Sequence, residues 1–259
     1  MSGRQPSRVP ASFHEKVWGV TDLAPWYPGL RGRIGEVWFE ADLPLLVKFV
    51  FTSDRLSVQV HPGDAFAAAH ENSLGKTEMW HVLRAEPGAQ VAIGFREPIS
   101  LEQLREDALS GEIEKRLRWV DARAGDTFFV PAGTVHAIGA GVLLCEIQQH
   151  SDVTYRLYDY GRDRELHLEK ALAVAAREPS PEAGRVALPV KCAYFHTEMI
   201  EAGLYLPSAD RFHLLIVLEG EGKIAGERFA AGETWLVSAG ADPFQIEGGL
   251  KILQTRVPL

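Results

Sequence analysis

The segment GDTFFVPAGTVHAIGAGVLLCEIQQHSDVTYR, residues 125–156, decides the fold expected of this chain. Two turns, Gly-Asp and Pro-Ala-Gly, bracket a β-branched and aromatic run over 127–130, and His136 opens the next strand. The special residues follow the spacing G-x5-P-x-G-x2-H. A histidine placed by a turn at a strand start can point a neutral ring nitrogen into a barrel, where it can bind a metal ion. For a histidine considered alone, a role in core packing is the alternative.

A second copy of this pattern lies near the C-terminus. GETWLVSAGADPFQI at 232–246 aligns with 125–138 at a constant offset, with glycine over glycine at both turns. The strand upstream also recurs, as WHVL at 80–83 and LIVL at 215–218. Two copies of one β-barrel module explain both matches. Because Pro243 replaces the histidine, the second module is expected to be structural and to lack the metal ligands.

The chain has 259 residues, a length that suits one large hydrophobic core or two modest ones. The remaining sequence patterns predict two mainly β modules. Residues 1–12 are polar and contain proline, so we expect them to be disordered. The first module is predicted over 13–178, with two short helices inserted at about 100–118, where a capping-box pattern precedes helically spaced leucines. A Pro-rich linker over 179–189 leads to the second module over 190–259.

Composition excludes several classes of partner. The net charge of −8 argues against nucleic acid and against anionic membranes, so an anionic substrate would need a local pocket of lysine and arginine. Cys145 and Cys192 each lie in an apolar run, which predicts buried thiols and a reducing compartment. No apolar run approaches the roughly 20 residues that span a bilayer, and the N-terminus lacks the apolar core of a signal peptide. The cytoplasm is the expected location.

Upstream of His136, three polar residues fall on predicted strands of the first module. Gln59 and His61 share one face of a strand, and Glu78 begins the next strand. Two imidazoles, a carboxylate and an amide oxygen suit Zn²⁺ or another borderline divalent ion, and they leave room for a water or a substrate oxygen. This open arrangement predicts a catalytic site rather than a structural one. Taken singly, Glu78 is expected to be a solvated strand residue, and the Gln-x-His pair is weak evidence.

These motifs resemble known families at two levels. The spacing that ends at His136 is similar to the second signature of the cupin superfamily, and the polar residues upstream stand where the first signature occurs. More specifically, VQVHPGD at 58–64, GKTEMWHVL at 75–83 and the whole of 129–162 resemble type I phosphomannose isomerases in their short bacterial form. The resemblance spans roughly 13–178. It implies a bicupin fold, with two antiparallel jelly-roll barrels and a few short helices.

The resemblance also implies roles for individual residues. It places the family's zinc ligands on Gln59, His61, Glu78 and His136. It places the catalytic arginine on Arg156 and a lysine of the substrate pocket on Lys76. The implied reaction interconverts mannose 6-phosphate and fructose 6-phosphate by moving a proton between C2 and C1 through an enediol. A guanidinium can stabilise the enediolate without losing its own proton; for Arg156, an ion pair with Asp152 or Asp159 is the alternative.

The residue that shuttles the proton is less firmly indicated. Glu146 and Gln148 alternate onto one strand face, and a carboxylate in a barrel interior can be tuned by burial and by the metal. Glu146 is therefore the candidate base, and a buried structural carboxylate is the alternative. Lys76 and Arg162 are the candidate cations for the phosphate or the sugar oxygens, with a solvated surface position as the alternative for each.

Other functions stay open at this stage. The same mechanism could act on free mannose or another unphosphorylated sugar, and a sugar-binding or regulatory cupin could keep the metal without doing chemistry. A cupin dioxygenase that uses Fe²⁺ is disfavoured, because the similarity over 146–162 would have no reason to exist there. The expected partner is a small phosphorylated sugar, and the chain is expected to be a monomer or a homodimer.

Overall fold

The computed structural model describes residues 5–258, in which the chain forms twenty strands and four helices. The N-terminal half contains β1 (Ser7–Arg8), β2 (Ala11–Val20), β3 (Ile34–Phe39), β4 (Leu45–Phe51), β5 (Val58–Val60), α1 (Asp64–Glu71), β6 (Glu78–Ala85), β7 (Gln90–Phe95), α2 (Leu101–Ser110), α3 (Ile113–Arg116), β8 (Leu117–Asp121) and β9 (Thr127–Val130). The C-terminal half contains β10 (His136–Ile138), β11 (Val142–Gln149), β12 (Tyr155–Tyr158), α4 (Leu168–Val174), β13 (Gly184–Val186), β14 (Val190–Lys191), β15 (His196–Ile200), β16 (Gly203–Tyr205), β17 (His213–Ile224), β18 (Glu227–Ala230), β19 (Thr234–Val237) and β20 (Phe244–Arg256). All strand pairs are antiparallel, so the predicted mainly β architecture is confirmed.

Two sheets face each other in the first module. The seven-stranded sheet has the order β13-β9-β6-β11-β4-β3-β2, and the five-stranded sheet has the order β12-β5-β10-β7-β8. Trp80 and Leu144 from the first sheet pack with Ile93 from the second, so the module encloses a core between its sheets. The predicted metal ligands lie on strands that border this interior, except His61, which directly follows β5.

A second core lies on the outer face of the seven-stranded sheet. Cys145 and Ile147 of β11 pack there with Leu214, Ile216 and Leu253, which belong to β17 and β20. Because one face of β11 borders the interior and the other borders this second core, all eight of its residues are buried. This double burial explains why an antiparallel strand shows no alternation of apolar and polar residues.

The second module is built on an eight-stranded sheet of order β1-β19-β17-β20-β15-β14, with β16 paired to β20 and β18 paired to β17. Its backbone repeats that of the first module at the matching turns. Gly125 has φ of 90° and its N–H donates to the carbonyl of Val82 at 2.8 Å; Gly232 has φ of 89° and donates to the carbonyl of Val217 at 2.8 Å. Positive φ favours glycine, which explains why both copies keep it.

The N-terminal segment that was predicted to be disordered forms strands instead. Residues 1–4 lie outside the described range, but β1 pairs with β19 of the second module, and β2 forms the edge of the seven-stranded sheet. Val9, between these two strands, is buried in the second core. The disorder prediction is wrong here because the polar residues of β2 occupy an edge strand whose side chains alternate between exposed and half-buried.

The predicted linker over 179–189 also contains a strand. β13 lies inside it and pairs with β9 of the first module, whereas β14 pairs with β15 of the second. We therefore propose that the boundary between the modules falls between β13 and β14. Helices α2 and α3 occupy the segment in which two short helices were predicted, between β7 and β8.

None of the helices found within residues 5–258 has the length and apolarity needed to cross a membrane.

Candidate active site

Two histidines and one carboxylate meet in the interior of the first module. His61 follows β5, Glu78 begins β6 and His136 begins β10, and none of them is more than 1% exposed. Glu78 Oε2 lies 3.4 Å from His61 Nε2, and Glu78 Oε1 lies 3.5 Å from His136 Nε2. One potential ligand atom from each residue lies within 4.8 Å of the other two. Three of the predicted ligands thus converge from two strands and from the residue that follows a third.

The hydrogen bonds of the two Nδ1 atoms direct the Nε2 lone pairs of both imidazoles toward Glu78. His61 Nδ1 lies 3.0 Å from the carbonyl oxygen of Val153, and His136 Nδ1 lies 2.9 Å from that of Thr134. Because a carbonyl only accepts, Nδ1 carries the hydrogen in both rings and Nε2 presents a lone pair. In the described part of the chain, His61 Nε2 and Glu78 Oε2 have no hydrogen-bond partner. Two imidazole lone pairs that converge on one buried carboxyl group fit a shared cation, which would displace any proton from the carboxyl.

Burial sets the protonation states of these three groups. It lowers the pKa of His136 to about 4, and it holds the pKa of His61 well below its usual range, with the Lys76 ammonium adding to the latter effect. Burial also raises the pKa of Glu78 to about 8, and the nearby carboxylate of Glu146 adds to this increase. Without a cation, both rings are therefore neutral at pH 7 and the Glu78 carboxyl holds a proton.

The raised pKa of Glu78 predicts how metal affinity depends on pH. Below about pH 8 a divalent ion must displace the Glu78 proton, whereas neither histidine competes until far lower pH. We expect the apparent metal affinity to fall about tenfold for each pH unit between roughly pH 8 and pH 6, and to level off above pH 8. Titration against a chromophoric chelator at four pH values measures this slope. An affinity that is constant from pH 6 to pH 8 would contradict the assignment of Glu78 as a ligand.

Gln59, the fourth predicted ligand, lies directly opposite His136 in the pairing of β5 with β10. Its Nε2 lies 3.3 Å from His136 Nε2, and the Ser57 hydroxyl lies 3.5 Å from its Oε1. A half turn of the amide would exchange its nitrogen and oxygen, and the Ser57 hydroxyl can accept as readily as it donates. Gln59 is therefore placed to present its oxygen to an ion bound at His136, and its role as a ligand stays a prediction.

Buried charges extend from Glu78 across the inner face of the seven-stranded sheet. Trp80 Nε1 lies 3.1 Å from Glu78 Oε1 and 3.1 Å from Glu146 Oε2, so one indole hydrogen is shared by two carboxyl groups. Glu146 Oε1 in turn lies 3.4 Å from Lys48 Nζ. The predicted base thus faces the interior beside a candidate metal ligand, held between a cation and an indole.

Two buried lysines flank the carboxyl groups. Burial opposes the charged form of Lys48, but the carboxylates of Glu146 and Glu36 outweigh it and raise the pKa of Lys48. Lys76 Nζ lies 3.7 Å from Glu78 Oε2, and burial together with the Lys48 charge lowers the pKa of Lys76. Lys76, predicted to line the substrate pocket, therefore faces the candidate ligands.

Arg156 lies in a cross-strand row with two candidate ligands. It is directly opposite Gln59 in the pairing of β12 with β5, and Gln59 is directly opposite His136. Directly opposed side chains share one face of a sheet, so Arg156 lies on the inner face, one strand further out. Its Nη1 donates to the carbonyl of Glu165 at 2.6 Å. The alternative partner Asp159 pairs instead with Arg164, at 2.5 Å.

Arg162 is bound into the loop that follows β12. Its Nη2 lies 2.8 Å from Asp159 Oδ1 and donates to the carbonyl of Arg55 at 2.7 Å, and its Nη1 lies 3.6 Å from Asp54 Oδ2. Among residues 5–258, no hydrogen bond or ion pair joins Arg162 to His61, Glu78 or His136. The structure therefore brings Lys76, but not Arg162, into contact with the candidate metal centre.

Comparison with known proteins decides the family. Mannose-6-phosphate isomerase ManA from Bacillus subtilis is 35% identical to this chain, over 91% of the chain and 94% of that protein. The chain belongs to the mannose-6-phosphate isomerase family. The mannose-6-phosphate isomerase of Streptococcus mutans is 36% identical, over 81% of this chain and 73% of its own length. The crystal structure of mannose 6-phosphate isomerase from Bacillus subtilis matches with a TM-score of 0.84 and 26% identity, covering 97% of this chain and 99% of that one. No protein-family model matches the chain.

Sequence reasoning missed Lys48 and Trp80 in this member of the mannose-6-phosphate isomerase family. Lys48 is the one charged residue of the run LLVKFVF in β4, and a lysine inside a continuous apolar run is a signal that could have found it. Trp80 gave no such signal, because an aromatic residue in a strand is ordinary core composition. Only the shared indole hydrogen shows that it links two carboxyl groups.

Proposed function

We propose that this chain is a zinc-dependent mannose-6-phosphate isomerase that interconverts mannose 6-phosphate and fructose 6-phosphate through an enediol. The convergence of His61, Glu78 and His136 in a chain of this family is the observation that carries the proposal. Two imidazole nitrogens and a carboxylate form a donor set that suits zinc and leaves a coordination position open. When bound, the cation supplies positive charge beside the sugar oxygens on which negative charge develops.

The proton transfer is assigned to Glu146. Its carboxylate would take the proton from C2 of the aldose and return it to C1, while the hydroxyl proton on O2 passes to O1, which gives the ketose. The contacts from Trp80 and Lys48 hold both of its oxygens in place, at 3.1 Å and 3.4 Å respectively. A base fixed within the buried interior needs little reorganisation during the reaction. A buried carboxylate is costly even when it is paired, and proton transfer would give Glu146 a role that sugar binding alone does not give it.

Positively charged side chains on both sides of the interior would stabilise the remaining negative charge of the substrate. The Arg156 guanidinium, on the inner face beside Gln59, would stabilise the enediolate while it keeps its proton. Lys76 would donate to a sugar or phosphate oxygen, since its ammonium group faces the candidate ligands. Arg162 stays a candidate for the phosphate, because an anion could replace its distant contact with Asp54. We also propose that both modules are jelly rolls of the cupin type, which the repeated turn geometry supports.

Metal removal tests the proposed function directly. We expect the purified protein to contain zinc by elemental analysis and to form fructose 6-phosphate from mannose 6-phosphate in a coupled assay. Treatment with a chelator should abolish turnover, and added Zn²⁺ should restore it. Turnover that persists after complete removal of the metal would reject the mechanism, and equal turnover of free mannose would reject the specificity for the phosphorylated sugar.

A further inference from the structure

The side chain of Gln148 lies beside the candidate ligands but has no part in the roles assigned so far. It is directly opposite Glu78 in the pairing of β11 with β6, and its exposed fraction is 0%. Residues two apart on a strand share a face, so Gln148 also lies on the same side as Glu146. Its amide therefore belongs to the inner face that carries the carboxyl groups of the site.

Two backbone carbonyls fix the orientation of this amide. Gln148 Nε2 donates to the carbonyl of Gln149 at 2.9 Å and also to the carbonyl of Ser151. Because both partners can only accept, the nitrogen must face them, and the oxygen must point the other way. The orientation thus follows from the chemistry of the partners.

The opposite end of the amide has no partner within residues 5–258. Gln148 Oε1 is buried and receives no hydrogen bond from the protein. A buried amide oxygen without a donor costs free energy, and nearly all such atoms in folded proteins are paired. The position of Gln148 in the sheet does not itself require a polar residue. In the same cross-strand row, Leu46 of β4 lies opposite Gln148 and Val130 of β9 lies opposite Glu78. The oxygen is thus a buried acceptor of fixed direction that no donor within residues 5–258 reaches.

We propose that Gln148 binds the substrate, and this rests on the proposed function. Its Oε1 accepts a hydrogen bond from a sugar hydroxyl at C3 or C4, away from the two carbons between which the proton moves. Hydroxyl groups are the donors that a hexose phosphate offers in number, and a buried acceptor of fixed direction discriminates strongly against an analogue that lacks the matching donor. Gln148 is in this sense a specificity-determining residue rather than a participant in the proton transfer.

The test compares Gln148→Met with wild type on mannose 6-phosphate, on its 3-deoxy analogue and on its 4-deoxy analogue. Methionine keeps the volume of glutamine and removes both the donor and the acceptor. We expect kcat/KM for mannose 6-phosphate to fall by about 10- to 100-fold, mainly through KM. For one deoxy analogue, wild type and variant should be equal within about twofold, because the hydroxyl that Gln148 would bind is already missing.

Gln149→Met is the matched control. Gln149 is the adjacent buried glutamine, but its Oε1 accepts from the backbone N–H of Thr77 at 2.9 Å and its Nε2 donates to Asp64 at 2.8 Å. Both ends of its amide are therefore used by the protein, so any loss in this variant should be the same for all three sugars. If Gln148→Met does not fold, Gln148→Asn decides by the same comparison, since its amide is one methylene too short to reach.

The outcomes separate this inference from the proposed function. An active wild type combined with an equal loss on all three sugars in Gln148→Met would overturn the inference alone. Loss of zinc from Gln148→Met, measured by elemental analysis, would also overturn it and would make Gln148 a metal ligand. An inactive wild type that contains zinc would overturn the proposed function, and the inference would fall with it.

Discussion

The variant Arg156→Met is expected to lose about two to three orders of magnitude in kcat while it keeps its fold and its metal. Arg156 lies in the row that runs through Gln59 to His136, and the proposed function assigns its guanidinium to the charge that develops on the substrate. Removal of one preorganised group of this kind typically costs about 10²- to 10³-fold in turnover. The coupled assay gives kcat, elemental analysis gives the zinc content, and circular dichroism monitors the fold.

Two further variants sharpen this result. Arg156→Lys keeps a positive charge but loses the planar fork, so we expect activity between that of wild type and that of Arg156→Met. Arg123→Met makes the same chemical change at an exposed position and should leave kcat unchanged. A kcat for Arg156→Met within tenfold of wild type would remove Arg156 from the mechanism. Loss of zinc from that variant would show instead that the residue supports the metal centre.

The variant His136→Ala is expected to lose both the metal and the activity. His136 supplies one of the two imidazole nitrogens, and its Nδ1 bond to Thr134 holds the ring with Nε2 toward Glu78. Without this ring, the remaining donors are one imidazole, the predicted amide oxygen of Gln59 and a carboxyl group that holds a proton at pH 7, and we expect them not to retain zinc firmly. We expect zinc per chain to fall to a small fraction of the wild-type value, and kcat to fall by about a thousandfold or more.

The control for this variant is His70→Ala. His70 is exposed at the end of α1, where its ring lies 4.1 Å from that of Phe66. The His70→Ala variant should keep the full zinc content and near-normal turnover. Wild-type zinc content in His136→Ala would mean that the metal lies elsewhere, and full turnover without zinc would mean that the isomerase reaction does not use it.

Much of the first module could be predicted because its strands carry local signals. The runs at β3 and β4 and the glycine turns before β9 and β10 define strand positions without knowledge of the partners. β2 was missed because its exposed and half-buried positions do not coincide with an alternation of polar and apolar residues, and β13 because the pairing of this short strand with β9 is not visible in a Pro-rich segment of sequence. In both cases the deciding contact is distant in sequence.

The candidate site shows the same difference between features that local sequence signals predict and features that depend on distant contacts. His61, Glu78 and His136 could be predicted, because turn spacing and strand alternation fix their directions. The contact of Lys48 with Glu146 could not, because it depends on the register of β4 against β11. The raised pKa of Glu78 also lay beyond sequence reasoning, since burial and neighbouring charges set it only in the folded state.

The pairing of β1 with β19 has a consequence for the synthesis of this protein. Ser7 lies opposite Leu236 and Arg8 lies opposite Trp235. β1 therefore cannot pair until β19, more than 200 residues later in the sequence, has been synthesised. At roughly 5–20 residues per second, a ribosome needs about 10–45 s to make the intervening chain. In the nascent protein, β1 therefore has no partner until residues 234–237 have been made and have left the ribosome.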